Sequence, residues 1–371
     1  MHFPFCKSKC RYCDFNSYVS KEYLIPGYCS ALVKEMDYYK SRAGRGYEIA
    51  SIYLGGGTPS LLEPGYISMI MDECRKAFSI SSDAEITIEA NPGTLSLEKL
   101  KKYKECGINR LSIGLQAWQD RHLSSLGRIH TSGDFEENLL AAREAGFINI
   151  SVDLIFGFPG QSLEDWEETL ERVTNHGVEH LSCYSLKIEE GTALYDDVKK
   201  GRVKAVDDEL DRDMYHLAVK KLRDKGFIHY EISNFSKPGF ESRHNMNYWL
   251  AGEYIGLGAG THSYFQGKRY NNAEKPGDYM RRISREEVLF ENVQVISEKD
   301  KISEYIMLGL RLTRGIDPED FKRKFKAGLP ELYGNSIDML VEKGLLCFSE
   351  GRLKLTEQGL DLANLVFVEF I

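Results

Sequence analysis

The sequence predicts an α/β protein, a partial (β/α)6 barrel of the TIM type followed by a small C-terminal domain that is helical or winged-helix-like. Three observations predict this fold. Strand-like and helix-like segments alternate through the first two-thirds of the chain, glycine or polar residues follow the strand-like segments, and the pattern changes after residue 225. A chain of 371 residues is long enough for one barrel-type domain and one smaller domain.

The strand-like segments are short apolar runs. They predict strands at 51–54, 84–89, 110–115, 149–156 and 181–187, with helices at 66–78, 96–106, 134–145 and 162–176 between them. We expect a sixth strand at the extreme N-terminus. Strands separated by helices pair in parallel through right-handed crossovers. Because parallel barrels carry their active sites at the C-terminal ends of the strands, the residues at these ends are expected to face one mouth. They are residues 55–58, Glu89, Gln116 and Asp153.

The last third of the chain follows a different pattern. A helix is predicted at 207–225, then an irregular stretch rich in aromatic residues and glycine from 230 to 264. From residue 297 the order is three helices and a hairpin, with Glu350 and Gly351 as its tight turn. The predicted domains are therefore a core over 1–225, a connecting segment over 226–295 and a winged-helix-like domain over 296–371, for which scaffolding or covering of the substrate is expected.

Composition and charge exclude several classes of protein. The net charge is -8 and the pI is about 5.7, which argues against non-specific binding to nucleic acid. No apolar run approaches the roughly 18 residues that a membrane span needs, and residues 1–4 do not begin a signal peptide. A cytoplasmic protein with eight reduced cysteines is expected, with no nucleic acid partner and no membrane span.

Three of the eight cysteines lie close together, in a Cys-x3-Cys-x2-Cys pattern formed by Cys6, Cys10 and Cys13. Three thiolates on one loop can bind three irons of a 4Fe–4S cubane and leave the fourth iron free for an exchangeable ligand. A structural zinc site, the alternative, would need four ligands at other spacings. The remaining cysteines are scattered and are expected to be small buried apolar residues. They are Cys29, Cys74, Cys106, Cys183 and Cys347.

This cysteine pattern after a first strand resembles the radical S-adenosylmethionine family, in which the amino acid part of S-adenosylmethionine chelates the unique iron. A second segment agrees with that resemblance. Gly55-Gly56-Gly57-Thr58-Pro59 directly follows a strand, and backbone without Cβ atoms can approach a ligand closely. The resemblance assigns S-adenosylmethionine contacts to Gly56, Gly57 and Thr58, and to Tyr12 within the cysteine loop. It also implies a tyrosine a few residues before that loop, which this sequence does not have.

Four polar residues continue the expected mouth of the barrel: Glu89, Gln116, Arg128 and Asp153. A carboxylate inside the apolar run at 152–155 is costly unless it is paired or binds a ligand. A buried carboxylate that holds loop amides is the structural alternative for Asp153. These positions match oxygen-independent coproporphyrinogen III oxidases, where the resemblance implies that Glu89 holds a first S-adenosylmethionine. The resemblance aligns Gln116, Arg128 and Asp153, together with Gly57 and Thr58, with a second ligand site. Arg128 could bind a carboxylate there through two hydrogen bonds.

Two features favour the sister group of these oxidases, the haem chaperones of the HemW type. Phe15 stands where the oxidases have one more cysteine, and only five residues precede the cluster loop. The segment from His244 to Trp249 also matches that group's His-Asn-x-x-Tyr-Trp motif. Imidazole is a common haem ligand, so His244 is the expected haem contact, and closure of the barrel floor is the structural alternative for this segment. Other possible ligands are His2, His130 and His262.

The first functional hypothesis is therefore a haem chaperone that carries a 4Fe–4S cluster, S-adenosylmethionine and haem, and that delivers haem to an acceptor protein, possibly a respiratory one. The second is a radical enzyme of porphyrin biosynthesis that cleaves S-adenosylmethionine with an electron from a flavodoxin or ferredoxin. A third, weaker hypothesis is a DNA-binding regulator, based on the basic run 322–326. A solvated helix face is the simpler interpretation of that run.

Overall fold

The computed structural model describes residues 1–40, 46–287 and 290–371. Its strands, in chain order, are β1 (His2–Phe3), β2 (Phe5–Cys6), β3 (Tyr18–Val19), β4 (Glu48–Gly56), β5 (Ser79–Ala90), β6 (Arg110–Gln116), β7 (Ile150–Phe156), β8 (His180–Ser185), β9 (Ile228–Glu231), β10 (Asn234–Ser236), β11 (His262–Phe265), β12 (Lys268–Asn272), β13 (Phe290–Val295), β14 (Leu346–Ser349) and β15 (Arg352–Leu355).

The helices are α1 (Ile25–Lys40), α2 (Pro64–Ala77), α3 (Leu97–Glu105), α4 (Asp120–Ser125), α5 (Ser132–Glu144), α6 (Leu163–Asn175), α7 (Ala193–Lys199), α8 (Asp208–Asp224), α9 (Arg243–Trp249), α10 (Pro276–Ser284), α11 (Glu298–Gly309), α12 (Pro318–Phe325), α13 (Leu329–Glu342), α14 (Glu357–Asp361) and α15 (Ala363–Phe367). Serine or threonine side chains cap the first turns of α3, α5 and α6, the pattern expected where a polar loop enters a helix.

The main sheet has eight strands in the order β1-β4-β5-β6-β7-β8-β10-β9. The first six pair in parallel, whereas β10 runs antiparallel to β8 and β9 antiparallel to β10. The predicted α/β fold with six parallel strands is confirmed. Strand β5 begins five residues before the predicted start at 84, because its first residues extend the pairing with β4 beyond the apolar part of the strand.

Two apolar cores correspond to the main body and the C-terminal part of the chain. The first core lies between the main sheet and its helices and includes Leu257, Phe265 and Tyr270 from the connecting segment. The second is formed within residues 306–370. The connecting segment thus packs into the core of the barrel, while the C-terminal part has a core of its own. The proposed domain boundaries at 225 and 295 stay a prediction.

The stretch 230–264 differs from the irregular segment that the sequence predicts. It contains β10 and the helix α9, and the His-Asn-x-x-Tyr-Trp motif forms the whole of α9 after its first residue. The helix forms because the Ser242 side chain accepts a hydrogen bond from its first turn, and because the Glu85 carboxylate accepts hydrogen bonds from the backbone N–H groups of Arg243 and His244. Glu85 lies midway along β5, before Thr87 where the pairing with β6 begins, so α9 covers the barrel near the N-terminal end of β6.

The C-terminal part has the predicted order of three helices and a hairpin, β14–β15. Two short helices that the sequence analysis did not predict, α14 and α15, follow the hairpin and reach back to the barrel. Four of the scattered cysteines are buried as expected, and Cys347 in β14 is half-buried. Within the described ranges, no helix is both long enough and apolar enough to cross a membrane.

Candidate cofactor and ligand site

A cavity of about 1290 Å³ opens at the C-terminal ends of the parallel strands and continues through the barrel to α9. It brings together eleven of the twelve residues that the sequence analysis assigned to the site. These are Cys6, Cys10, Tyr12, Cys13, Gly56, Gly57, Thr58, Glu89, Gln116, Arg128 and Asp153. Residues of α14 and α15 line the same cavity from the C-terminal side. The twelfth residue, His244, lies elsewhere.

The cysteine loop is closed at its base by β2 and β3, where Cys6 pairs with Val19. The three thiols are free, half-buried and on the cavity wall. The Thr58 hydroxyl lies 3.7 Å from Cys6 Sγ, and the Arg128 guanidinium donates to Cys10 Sγ at 3.4 Å. Burial raises the pKa of the Cys13 thiol, so its thiolate needs a bound cation to be stable.

The donor set fits a cluster better than a single ion. Among the described residues, no three cysteine, histidine or carboxylate side chains converge closely enough to hold one metal ion. Thiolates that bind different irons of a cubane stand farther apart than ligands that share one ion. Three free thiols on one loop, with an arginine and a threonine beside two of them, are therefore a suitable donor set for the cluster that the sequence predicts.

The glycine segment joins the barrel to the cysteine loop. Strand β4 ends at Gly56, and beyond it the backbone N–H of Gly57 donates to Phe3 O at 2.9 Å and that of Thr58 to Phe5 O at 2.8 Å. A Cβ atom on Gly57 would lie 2.6 Å from Phe5 O and 2.7 Å from Phe3 O. Glycine is required here because the backbone of one segment lies directly against the other.

Replacing Gly57 by alanine should destabilise the protein by about 1–3 kcal/mol, since the new methyl group has to displace backbone. The matched control is Gly65→Ala in α2, where no atom lies within 4 Å of the added Cβ. That control should leave stability unchanged or raise it by up to about 1 kcal/mol. Urea unfolding of both variants measures the difference, and equal midpoints would contradict the close approach at Gly57.

Two half-buried carboxylates face the cavity below the rim. Glu89 accepts hydrogen bonds from the Tyr53 hydroxyl and from the backbone N–H of Gly56, both at 2.9 Å. Burial, and then the charge of Asp153, raise the pKa of Glu89 to about 7. Asp153 accepts from the Ser112 hydroxyl at 3.0 Å, and burial raises the pKa of Asp153 as well. The hydrogen bonds to Asp153 come from serine hydroxyls rather than from loop amides, which weakens the structural alternative for this residue.

Arg128 connects three parts of the site. Its Nη2 donates to Gly114 O and, at 2.8 Å, to Asn91 Oδ1, while Nη1 contacts Cys10 Sγ. Its buried Nε has no protein partner. Nearby, Gln116 has a φ of 73°, a left-handed conformation that turns its side chain out of the strand at a register shift between β6 and β7. Since both hydrogens of Nη2 and one of Nη1 are already used, the Nε–H and the second hydrogen of Nη1 are left for the predicted carboxylate grip.

His244 does not line the large cavity. Its ring lies on the side of α9 that packs against β4, where Ser51 Oγ is 3.0 Å from Nδ1 and Tyr248 Oη is 3.2 Å from Nε2. The ring stacks on Tyr53 with centroids 4.9 Å apart, and burial lowers the pKa of His244 to about 3. A neighbouring side of α9 faces the large cavity through Asn245 and Trp249, and Tyr248, which lies one turn after His244 and contacts it, also reaches the cavity wall. The structure therefore places the aromatic half of the motif, and not its histidine, on the cavity wall.

The other candidate histidines are also outside the large cavity. His2 bonds to Ala259 O, His130 is buried and bonds to Leu115 O, and His262 lies in β11. The sequence analysis missed Asn91, Arg110 and Arg311, which do line the cavity. Arg110 carried a usable signal, because it is a charged residue at the start of the apolar run 110–115, just as Asp153 lies within one.

Comparison with known proteins agrees with this geometry. Residues 1–173 match the model of the radical SAM superfamily, and residues 296–362 match the HemN C-terminal domain. The "Heme chaperone HemW" of Bacillus subtilis (strain 168) is 38% identical, and the match covers 100% of this chain and 98% of that protein. The protein of the same name from Lactococcus lactis is 34% identical over 100% and 96% of the two chains.

The solved structure of the coproporphyrinogen III oxidase HemN from Escherichia coli has the same fold, with a TM-score of 0.87 over 100% of this chain and 88% of that one. At 22% identity, this similarity is evidence for the fold only. The relatives from Bacillus subtilis and Lactococcus lactis match this chain over its whole length. The chain therefore belongs to the radical SAM superfamily and, within it, to the HemW family.

Proposed function

We propose that this chain is a haem chaperone, which binds haem and passes it to an acceptor protein such as a respiratory one. The observation that carries the proposal is the continuous cavity from the cysteine loop to Tyr248 and Trp249 of α9. This cavity joins the cysteine loop and a wall of flat aromatic side chains in one space. The names of the relatives from Bacillus subtilis and Lactococcus lactis support the same function. The expected location of this chain, the cytoplasm, is part of the proposal.

In this proposal Cys6, Cys10 and Cys13 hold one 4Fe–4S cluster. When bound, the cluster supplies an iron that can take S-adenosylmethionine as an exchangeable ligand. The chain's own residues shape the space around it. Arg128 stabilises negative charge on Cys10 Sγ, and the unsubstituted backbone at Gly56 and Gly57 allows a ligand to approach. Tyr12, Thr58, Glu89, Gln116 and Asp153 supply the polar contacts.

His244 remains the proposed haem ligand. The low pKa of His244 keeps its imidazole neutral, which is the form that binds iron. Binding would require the ring to leave Ser51 and Tyr248, at a cost of about 1 kcal/mol for each hydrogen bond. A coordinate bond to iron can offset that cost. The proposal therefore includes a local rearrangement of α9 when haem binds.

The alternative function is an oxygen-independent coproporphyrinogen III oxidase, which would take its electron from a flavodoxin or ferredoxin. The polar residues of the cavity favour it, because Glu89, Arg128 and Asp153, which the sequence resemblance to these oxidases assigns to S-adenosylmethionine, all line the cavity. Phe15 argues against it. This side chain is 62% exposed at the edge of the cavity, where the oxidases carry a further cysteine.

The test is anaerobic reconstitution of the cluster followed by two assays on one preparation. Haem titration should saturate in the wild type, and His244→Ala should weaken haem affinity at least about tenfold, which corresponds to about 1.4 kcal/mol. Coproporphyrinogen III should not be converted. Formation of protoporphyrinogen at many turnovers would refute the chaperone function.

The matched control is His180→Ala. His180 is also buried between a serine and a tyrosine, with Ser151 Oγ at 2.7 Å from Nδ1 and Tyr230 Oη at 2.8 Å from Nε2. The two variants lose the same kinds of contact, so the control measures the effect of lost packing alone. Equal haem affinities in the two variants would remove His244 from the haem site.

A further inference from the structure

Arg110 is a buried cation for which the protein provides no partner. It is the first residue of β6, its exposed fraction is 2%, and it lines the large cavity. Its Nε is buried without a hydrogen bond. Across the described part of the chain, no carboxylate oxygen lies within 4.0 Å of its guanidinium nitrogens and no protein group accepts a hydrogen bond from them.

This arrangement is costly for a residue with only a structural role. A guanidinium taken out of water loses its hydration, and only close pairing or hydrogen bonding restores that energy. Asp153, Tyr53 and His244 lie near enough to sense the charge of Arg110, but none of them pairs with it. The fold therefore holds the Arg110 guanidinium at the cavity wall, and the protein supplies no acceptor for its N–H groups.

Other unused polar atoms lie on the same cavity wall. Eleven buried side-chain nitrogen or oxygen atoms of the described residues have no hydrogen-bond partner, and six of them belong to residues that line this cavity. The six residues are Arg110, Arg128, Glu231, Asn234, Trp249 and Arg311. Unsatisfied groups are rare in folded proteins, so their concentration in one cavity calls for an explanation, and a polar ligand that binds there would provide one.

Arg311 is the second cation of this wall. Its guanidinium lies 4.3 Å from the centre of the Trp249 ring and 3.9 Å from Glu231 Oε2, so it is stacked and only loosely paired. The Trp249 indole N–H is itself without an acceptor. Burial raises the pKa of Glu231, which reduces the negative charge that would oppose an anion here.

We propose that Arg110, assisted by Arg311, forms a carboxylate subsite in the inner part of the cavity. The inference rests on the proposed function and deepens it, because it assigns the propionate side chains of haem to this subsite. Guanidinium groups are well suited to the task, since their planar fork matches a carboxylate. The same chemistry could come from the carboxylate of a second S-adenosylmethionine, and the experiment separates the two sources.

The experiment compares haem with haem dimethyl ester, in which both propionates are neutral. The wild type should bind haem at least about tenfold more tightly than the diester. Arg110→Gln should lose most of that preference and bind haem about tenfold more weakly, while Arg110→Lys should recover part of both. The matched control is Arg172→Gln on α6; Arg172 is exposed, pairs with Glu168 and lies over the Trp118 ring, and it does not line the cavity. It should behave as the wild type.

Two further measurements separate a ligand-binding role from a structural one. Arg110→Met should unfold at the same or a higher temperature than the wild type without ligand, because it removes an unpaired buried charge. A lower unfolding temperature would indicate a structural role and contradict the subsite. Equilibrium dialysis with S-adenosylmethionine should show the same number of molecules bound per chain in the wild type and in Arg110→Gln.

The outcomes are distinct. Equal binding of haem and its diester by the wild type, or an unchanged preference in Arg110→Gln, overturns the propionate subsite while the chaperone function stands. Loss of one bound S-adenosylmethionine in Arg110→Gln overturns the assignment to haem in favour of that ligand. If the wild type binds no haem, the proposed chaperone function is wrong. If Arg110→Gln then also binds S-adenosylmethionine as the wild type does, the carboxylate subsite is wrong as well.

Discussion

Replacing Cys10 by serine should abolish the iron–sulfur cluster. A serine hydroxyl is a hard, weakly acidic ligand that does not replace a thiolate on iron, and Cys10 is the cysteine whose sulfur is also held by Arg128. Iron and acid-labile sulfide per chain, measured after anaerobic reconstitution, should fall nearly to zero. The same substitution at Cys6 or Cys13 should have the same result, because in the proposed cluster each thiolate would hold a different iron.

The control for this prediction is Cys347→Ser. Cys347 is half-buried in β14, belongs to the C-terminal part of the chain and does not line the cavity. It should keep the full content of iron and sulfide. Bound zinc in the wild type in place of iron and sulfide would contradict the cluster itself, and a normal cluster in the Cys10 variant would contradict its assigned ligands.

Replacing Arg128 by glutamine should weaken S-adenosylmethionine binding by about thirtyfold. Hydrogen bonds to charged groups contribute about 2 kcal/mol in a buried site, and each 1.4 kcal/mol is a factor of ten in affinity. The substitution also leaves Gly114 O and Asn91 Oδ1 without their donor. Titration of the reconstituted protein, followed through the spectrum of the cluster, measures the affinity.

Arg143→Gln is the matched control for Arg128. Arg143 also fixes backbone carbonyls, those of Phe147 and Gly177, and it pairs with the Glu179 carboxylate outside the cavity. Both variants should therefore lose stability, but only the Arg128 variant should lose affinity for S-adenosylmethionine. A similar loss of affinity in both would show that Arg128 acts through the stability of the fold alone.

Local sequence was sufficient for the barrel and for the cofactor end of the cavity. The apolar runs of a parallel sheet are buried on both faces, so their positions can be read directly from the sequence, as for β6 and β7. The cysteine loop and the glycine segment are each continuous in the chain. Their contact through Phe3 and Phe5 follows from the parallel pairing of β1 with β4.

The inner end of the cavity was much harder to predict. Arg110, Trp249 and Arg311 come from β6, α9 and the turn after α11, and no local pattern joins them. The helix α9 was predicted as irregular chain, because its capping groups include Glu85, more than 150 residues away. The motif was located from the sequence, but as a helix it presents Asn245 and Trp249 to the large cavity and turns His244 towards β4.

By itself the sequence determined the class of fold, the three cysteines and the residues at the ends of the strands, because strand alternation and short spacings are local properties of the chain. Only the tertiary structure decided that His244 is packed away from the cavity, that Arg110 has no partner in the described residues, and that α14 and α15 reach the barrel. Burial and pairing depend on residues distant in the chain, so they are fixed only when the sheet and α9 pack together.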